Sequence, residues 1–168
     1  KLNIIENIKD IDFKKNFILS ALNLAFLGSV AKDEIKLNKN LINWPDGVFS
    51  KIVKKKIKKI PGRQVLSELS ITNDIKKIVV LGNLSKNSLN YLKARFNLPV
   101  IHKNLPFGSA DKIMKKINFK INYHDLIFLT LPTPKQEQVA NYLMEKNKFF
   151  KIICIGGSIG IVSGDEQE

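Results

Sequence analysis

The chain has 168 residues, 44% of them apolar, and carries a formal charge of +13 from 28 Lys and Arg against 15 Asp and Glu. That length suits one domain with a core of its own. A single cysteine, Cys154, excludes an intrachain disulfide, and no run approaches the ~18 apolar residues a bilayer span requires. The charge fits an anionic partner, whether a nucleotide, a nucleic acid or an anionic lipid surface. A solvated lysine-rich face accounts for it equally well. Cys154 sits in Ile152-Ile153-Cys154-Ile155 and reads as a buried structural thiol, which fits a reducing cytoplasm. No signal-peptide pattern opens the chain, which begins at Lys1 rather than Met.

Residues 1–16 are polar and read as an irregular N-terminal arm or edge. Phe17 to Leu22 is an apolar run of strand length. Asn23 then caps a helix in which Leu24, Phe26, Leu27 and Val30 recur at helical spacing. Asn40 to Trp44 is a short strand that stops at Pro45-Asp46-Gly47, a turn in which Pro fixes one φ and Gly permits a positive one. Asp46 is thereby placed at a strand end, either as a turn former or as a functional carboxylate, before a helix carrying Val48, Phe49, Ile52 and Val53. Lys51 to Lys59 holds six lysines, a basic patch for phosphate or membrane, or a solvated helix end. Pro61-Gly62-Arg63 leads into another helix, with Arg63 near its start as a candidate anion clamp.

Lys76 to Gly82 is β-branched and nearly all apolar, so it reads as a central parallel strand ending at Gly82. Ser85 caps a helix with Leu89, Leu92 and Phe96 on one face, and Leu98 to Ile101 is the next strand. His102 follows it directly; a lone histidine there is more often structural than catalytic. Ser109 opens a helix with Ile113, Met114 and Ile117. Asp125 to Leu129 is a buried strand, followed by Pro132-Thr133-Pro134-Lys135-Gln136-Glu137 and a helix. Phe150 to Ile155 is the last strand, and Gly156-Gly157-Ser158 comes next. Those glycines match neither a P-loop nor a dinucleotide fingerprint, but they let a ligand approach the backbone.

Strands therefore alternate with helices, which predicts one Rossmann-like α/β domain: a parallel sheet with helices on both faces, joined by right-handed crossovers. Asp46, Gly82, His102, Pro132–Gln136 and Gly156–Ser158 all fall just past strand ends, the ligand edge of such sheets. No Cys/His metal spacing and no Ser-His-Asp arrangement is present.

With these turns in place, the sequence resembles the WecG/TagA/CpsF family, glycosyltransferase family 26. Thr133-Pro134-Lys135-Gln136-Glu137 looks like its Ser-Pro-Lys-Gln-Glu segment, and Ile60-Pro61-Gly62-Arg63 like its Val-Pro-Gly-Arg. Pro45-Asp46-Gly47-Val48 stands at its Asp-Gly motif, Asn23 at its Thr-x-Asn segment, and Gly156-Gly157-Ser158 at its Gly-Gly-Ser/Ala-Phe-Asp segment. The matches run in order over about residues 17–164. The departures are Ala21 for the family threonine, Gln64 for an aspartate, Pro132 for a glycine and Gly160 for the second aspartate. Family members continue with an arginine-rich tail, a segment outside this sequence.

The resemblance implies an inverting, metal-independent enzyme with no cofactor. It would transfer an N-acetylhexosamine, of N-acetylmannosamine type, from a UDP-sugar to a lipid-linked or polysaccharide acceptor in cell-surface polysaccharide synthesis. It implies work at the inner face of the cell membrane, with Asp46 as the base and Gln136 on the donor sugar or its diphosphate. The substrate-binding set would be Asn23, Arg63, Thr133, Lys135, Gly156, Gly157 and Ser158 from the matching segments, with Gly82 and His102 added by their place at strand ends. Lys51–Lys59 would meet anionic lipid, and a homo-oligomer is compatible. A second reading, motivated by Pro132 and Gly160, is a non-catalytic nucleotide-sugar-binding relative. A nucleic-acid-binding module rests on charge alone and is set aside, because no aromatic-rich basic strand is present to stack bases.

Overall fold

The computed structural model describes residues 2–47, 57–118 and 120–165. The predicted helix from Val48 and most of the lysine-rich stretch, through Lys56, lie outside the described residues. Lys58 and Lys59 are exposed.

The strands are β1 (Asn3–Ile4), β2 (Phe17–Leu22), β3 (Leu41–Pro45), β4 (Lys77–Gly82), β5 (Val100–Lys103), β6 (Asp125–Thr130) and β7 (Lys151–Cys154). The helices are α1 (Leu24–Ala31), α2 (Gly62–Glu68), α3 (Lys86–Phe96), α4 (Ala110–Lys116), α5 (Lys135–Lys146) and α6 (Ser158–Ser163). All strand pairs are parallel, in one seven-stranded sheet ordered β1-β3-β2-β7-β6-β4-β5. This is the Rossmann-like α/β architecture that the alternating pattern predicts.

The apolar runs explain why the central strands are covered on both faces. Strands covered on both faces cannot alternate polar with apolar, because neither side chain direction leads to water. Ile78, Val79, Val80 and Leu81 of β4 and Leu126 to Leu129 of β6 are buried without exception. Ile78, Val80, Leu126, Phe128 and Ile153 join one core layer with Val65, Leu66, Leu92 and Ile159, so α2, α3 and α6 cover the first face. Val79, Leu81, Ile127, Leu129 and Ile152 join another with Phe26, Ile113, Val139 and Leu143, so α1, α4 and α5 cover the second face. Truncating one of these leucines to alanine costs roughly 2–5 kcal/mol.

Two expectations change. Of the arm and the edge that the polar N-terminal segment allows, the structure has the edge, and the segment is less irregular than expected. Asn3–Ile4 pairs with β3 as an edge strand, a short 3-10 turn spans Ile8–Asp10, and Ile8, Ile11 and Phe13 are buried in the first-face core. Their three apolar side chains, spaced among charges, have no period of 2 or 3.6 to reveal them. The fifth strand also runs later than the apolar pattern indicates, because Pro99 lacks an N–H for the ladder. His102 therefore lies inside β5, paired with Val80, and not beyond its end.

Neighbouring strands send the chain to opposite faces at the carboxyl edge. β2 continues into α1 on the second face and the adjacent β7 into α6 on the first. The divergence opens a crevice over the strand ends, the switch point at which open parallel sheets hold ligands.

Candidate functional site at the carboxyl edge of the sheet

A cavity of about 360 Å³ fills this crevice. Its walls include Asn23, Trp44, Asp46, Thr133, Gln136 and Gly156–Ser158, so seven of the residues singled out from sequence converge on it. Asn23 is the N-cap of α1, and its Oδ1 accepts the Phe26 N–H at 3.0 Å. Asp46 follows β3 immediately. Its N–H donates to Leu22 O, and its Oδ1 accepts the Gly47 N–H at 2.7 Å, with Gly47 at φ +66°. Asp46 is thus a turn former and a half-buried cavity wall at once. Trp44 is 1% exposed, and its indole Nε1 has no hydrogen-bond partner among the described residues.

The corner after β6 is built tightly. The Thr133–Pro134 peptide is cis, and α5 begins at Lys135. Gln136 is only 4% exposed. Its Nε2 donates to Glu137 Oε1 at 3.0 Å and to Thr133 Oγ at 3.2 Å, while its Oε1 accepts the Gly156 N–H at 3.1 Å. Gly156 shares the same N–H with Leu129 O at 3.2 Å. Gln136 therefore ties the corner to the glycine turn after β7, and its two amide donors are both engaged.

Glu137 lies beneath this corner at 1% exposure. Ser20 Oγ on β2 donates to its Oε1 at 2.6 Å, and Thr133 Oγ donates at 3.2 Å. Burial pushes the Glu137 carboxyl above its usual range, against hydrogen bonds led by Ser20 that pull it down. The Cys154 thiol, buried in the cavity wall, is raised by burial and then by the Glu137 charge.

The Pro-Gly-Arg segment gains a packing reason. A Cβ on Gly62 would come within 2.1 Å of Ser158 Oγ, so only glycine lets α2 start against the start of α6. Arg63 is exposed on that first turn and is not a cavity wall. Lys135 is half-buried at the start of α5 and also lies outside the wall.

Gly82 and His102 hold structure instead of facing this cavity. Gly82 has φ +121°, and a Cβ there would meet Thr130 Oγ at 2.5 Å. His102 Nε2 donates to the Gly82 carbonyl at 2.8 Å, so the histidine pins the end of β4 from the edge strand.

A second cavity of about 500 Å³ lies on the other side of Gly156–Gly157, which line both. Asn83, Ser85, Asn104, Thr130, Gly160 and Asp165 contribute to it. Asp165 accepts hydrogen bonds from Ser85, from Asn87 at 2.8 Å, from Ser163 at 2.8 Å and from Ser88 at 3.1 Å. These donors, Ser85 first, hold its carboxyl at about 2. Of its walls, the sequence points only to Gly156 and Gly157 as ligand-facing; Ser85 reads there as a helix cap, and Asp165, 80 positions away, carries no motif.

Among the described residues, no group of three or more His, Cys, Asp or Glu side chains converges as a metal ion would need. No helix among them is long and apolar enough to cross a membrane. No protein-family model matches the chain, and no curated protein sequence matches it.

Proposed function

We propose that the protein is an inverting glycosyltransferase that moves an N-acetylhexosamine from a UDP-sugar to a lipid-linked or polysaccharide acceptor, with Asp46 as the general base. The observation that carries this reading is the meeting of Asp46 with Asn23, Thr133, Gln136 and Gly156–Ser158 around one cavity at the switch point. Those residues come from four separate turns, and the segments resembling family 26 supply all of them.

The chemistry fits the geometry. The acceptor hydroxyl oxygen attacks the anomeric carbon while the bond from that carbon to the UDP oxygen breaks, and its electron pair leaves with UDP. The hydroxyl proton passes to the Asp46 carboxylate, which must lie within hydrogen-bond reach of it. Leaving-group charge needs donors already in place. The paired glycines present backbone to a diphosphate with no side chain in the way.

The two cavities divide the donor between them. The sugar occupies the Asp46 side and the nucleoside the second cavity, whose Asn83, Asn104 and Thr130 offer hydrogen bonds. The diphosphate crosses Gly156–Gly157. Gln136 enters this scheme as a support of the glycine turn, since its amide donors already point inward. The reading retains activity at the inner membrane face, with Lys51–Lys59 toward anionic lipid.

A second reading, a nucleotide-sugar-binding protein without turnover, draws on Gly160. That position lines the second cavity where the family carries an aspartate. Asp165 supplies a carboxylate to the same wall, which favours the enzyme. Calorimetric titration with UDP, then a transfer assay with UDP-N-acetylmannosamine and a lipid-linked acceptor, separates the two. Binding with transfer supports the enzyme; binding without transfer under saturating acceptor supports the binding protein.

A further inference from the structure

Glu137 has an arrangement that stability alone does not explain. Its Oε1 draws in Ser20, Thr133 and Gln136, yet its Oε2 has no hydrogen-bond partner among the described residues and is sealed from solvent. Burying a carboxylate with one oxygen unpaired opposes folding. An apolar side chain at that position would avoid the penalty.

What the carboxylate does is fix directions. An ionised carboxylate only accepts hydrogen bonds, so the Gln136 amide must turn its nitrogen toward it. That turns the Gln136 oxygen to the Gly156 N–H at 3.1 Å. The Thr133 hydroxyl is fixed in the same way: it donates to Glu137 and accepts from Gln136. Ser20 anchors the hub to β2, and Gln136 carries it on to the Gly156 N–H, so β2, the corner after β6 and the turn after β7 are tied through this network. The titratable group facing it from β7 is Cys154, which its burial keeps as the neutral thiol.

We propose that Glu137 is a positioning residue: through Thr133 and Gln136 its carboxylate fixes the Gly156 turn that walls both cavities, and it does so against the stability of the fold. The inference rests on reading the two cavities as a UDP-sugar site. A merely structural contact would lower stability and binding together when removed. Glu137 separates the two.

The test uses the full chain with Glu137→Gln, which keeps shape and removes charge. Charge-assisted hydrogen bonds are roughly twice as strong as neutral ones, so the clamp weakens while the buried charge disappears. In the absence of ligand at pH 7.5, the melting temperature is expected to rise by about 2–4 °C. Hydrogen exchange at the Gly156 amide, read by NMR, is expected to quicken by roughly three- to tenfold, as befits one lost hydrogen bond of two. UDP affinity is expected to fall by a similar factor.

Gln136→Met should speed Gly156 exchange to the same extent, and the double variant should add nothing further. Unchanged Gly156 exchange in Glu137→Gln overturns the proposal. So does a lowered melting temperature, which marks an ordinary structural contact, or additive effects in the double variant, which break the path through Gln136. If the unmodified protein does not bind UDP, the donor reading fails. Gly156 exchange and melting temperature then still judge the clamp.

Discussion

Two carboxylates stand on either side of the glycine turn, each receiving several hydrogen bonds, and their acidities move in opposite directions. Asp165 is exposed and held at about 2 by Ser85, Ser163 and Asn87. Glu137 receives donors from Ser20, Thr133 and Gln136 and is nonetheless pushed upward by burial. Hydrogen bonds to the charged form favour ionisation, but removal from water opposes it, and for Glu137 the second effect wins. The exposed carboxylate rests among side-chain donors at the start of α3, where Ser85 is the cap. The buried one is a desolvated hub with one oxygen unpaired, and perturbed buried carboxyls of that kind cluster where geometry serves function.

Variants at these carboxylates and their partners separate the two environments. The largest effect concerns a third carboxylate, Asp46, half-buried between the extremes. Asp46→Asn is expected to keep UDP affinity in calorimetry while transfer falls by about 10²–10⁴-fold, the range for loss of a general base. Unchanged turnover would remove Asp46 from that role. Next, Ser20→Ala strips the 2.6 Å donor from the buried Glu137. Urea unfolding should show a loss of roughly 1–3 kcal/mol, the cost of leaving a buried acceptor less satisfied. A neutral Ser20→Ala would show that Glu137 is better solvated than its burial indicates.

The pH dependences should also oppose each other. The folded Glu137 carboxyl is raised above its ordinary 4.5. Its contribution to stability is therefore complete below that value and lost as pH rises through the raised folded value. Thermal melts should show the advantage of Glu137→Gln over the unmodified protein growing with pH across that interval. Asp165 is lowered from 3.8 to about 2. Its contribution is present above 3.8 and lost as pH falls toward about 2. Asp165→Asn should flatten only that acid limb, the smallest effect of the set because the group is exposed and screened by solvent.

The central strands were legible because runs such as Ile78–Leu81 and Leu126–Leu129 carry the mark of two-sided burial. Asn23, Asp46, Thr133 and Gly156–Ser158 were legible because strand ends at the carboxyl edge are where turns become walls. Gln136 was legible as a site residue, but the inward direction of its amide was not. The edge strand Asn3–Ile4 is too short for any period, and Ile8, Ile11 and Phe13 reach the core from a short 3-10 turn and the residues after it. Ser20 and Glu137 meet across 117 positions, a contact set by strand order and by no local pattern. His102 read as a strand-end residue until Pro99 moved the start of its strand.

The central claim is that the paired cavities hold a UDP-sugar, and titration of the protein with UDP by isothermal calorimetry tests it most directly. The account predicts saturable one-to-one binding, weakened by Glu137→Gln and retained in Asp46→Asn. No heat of binding up to millimolar UDP, roughly −4 kcal/mol or weaker in free energy, would contradict it.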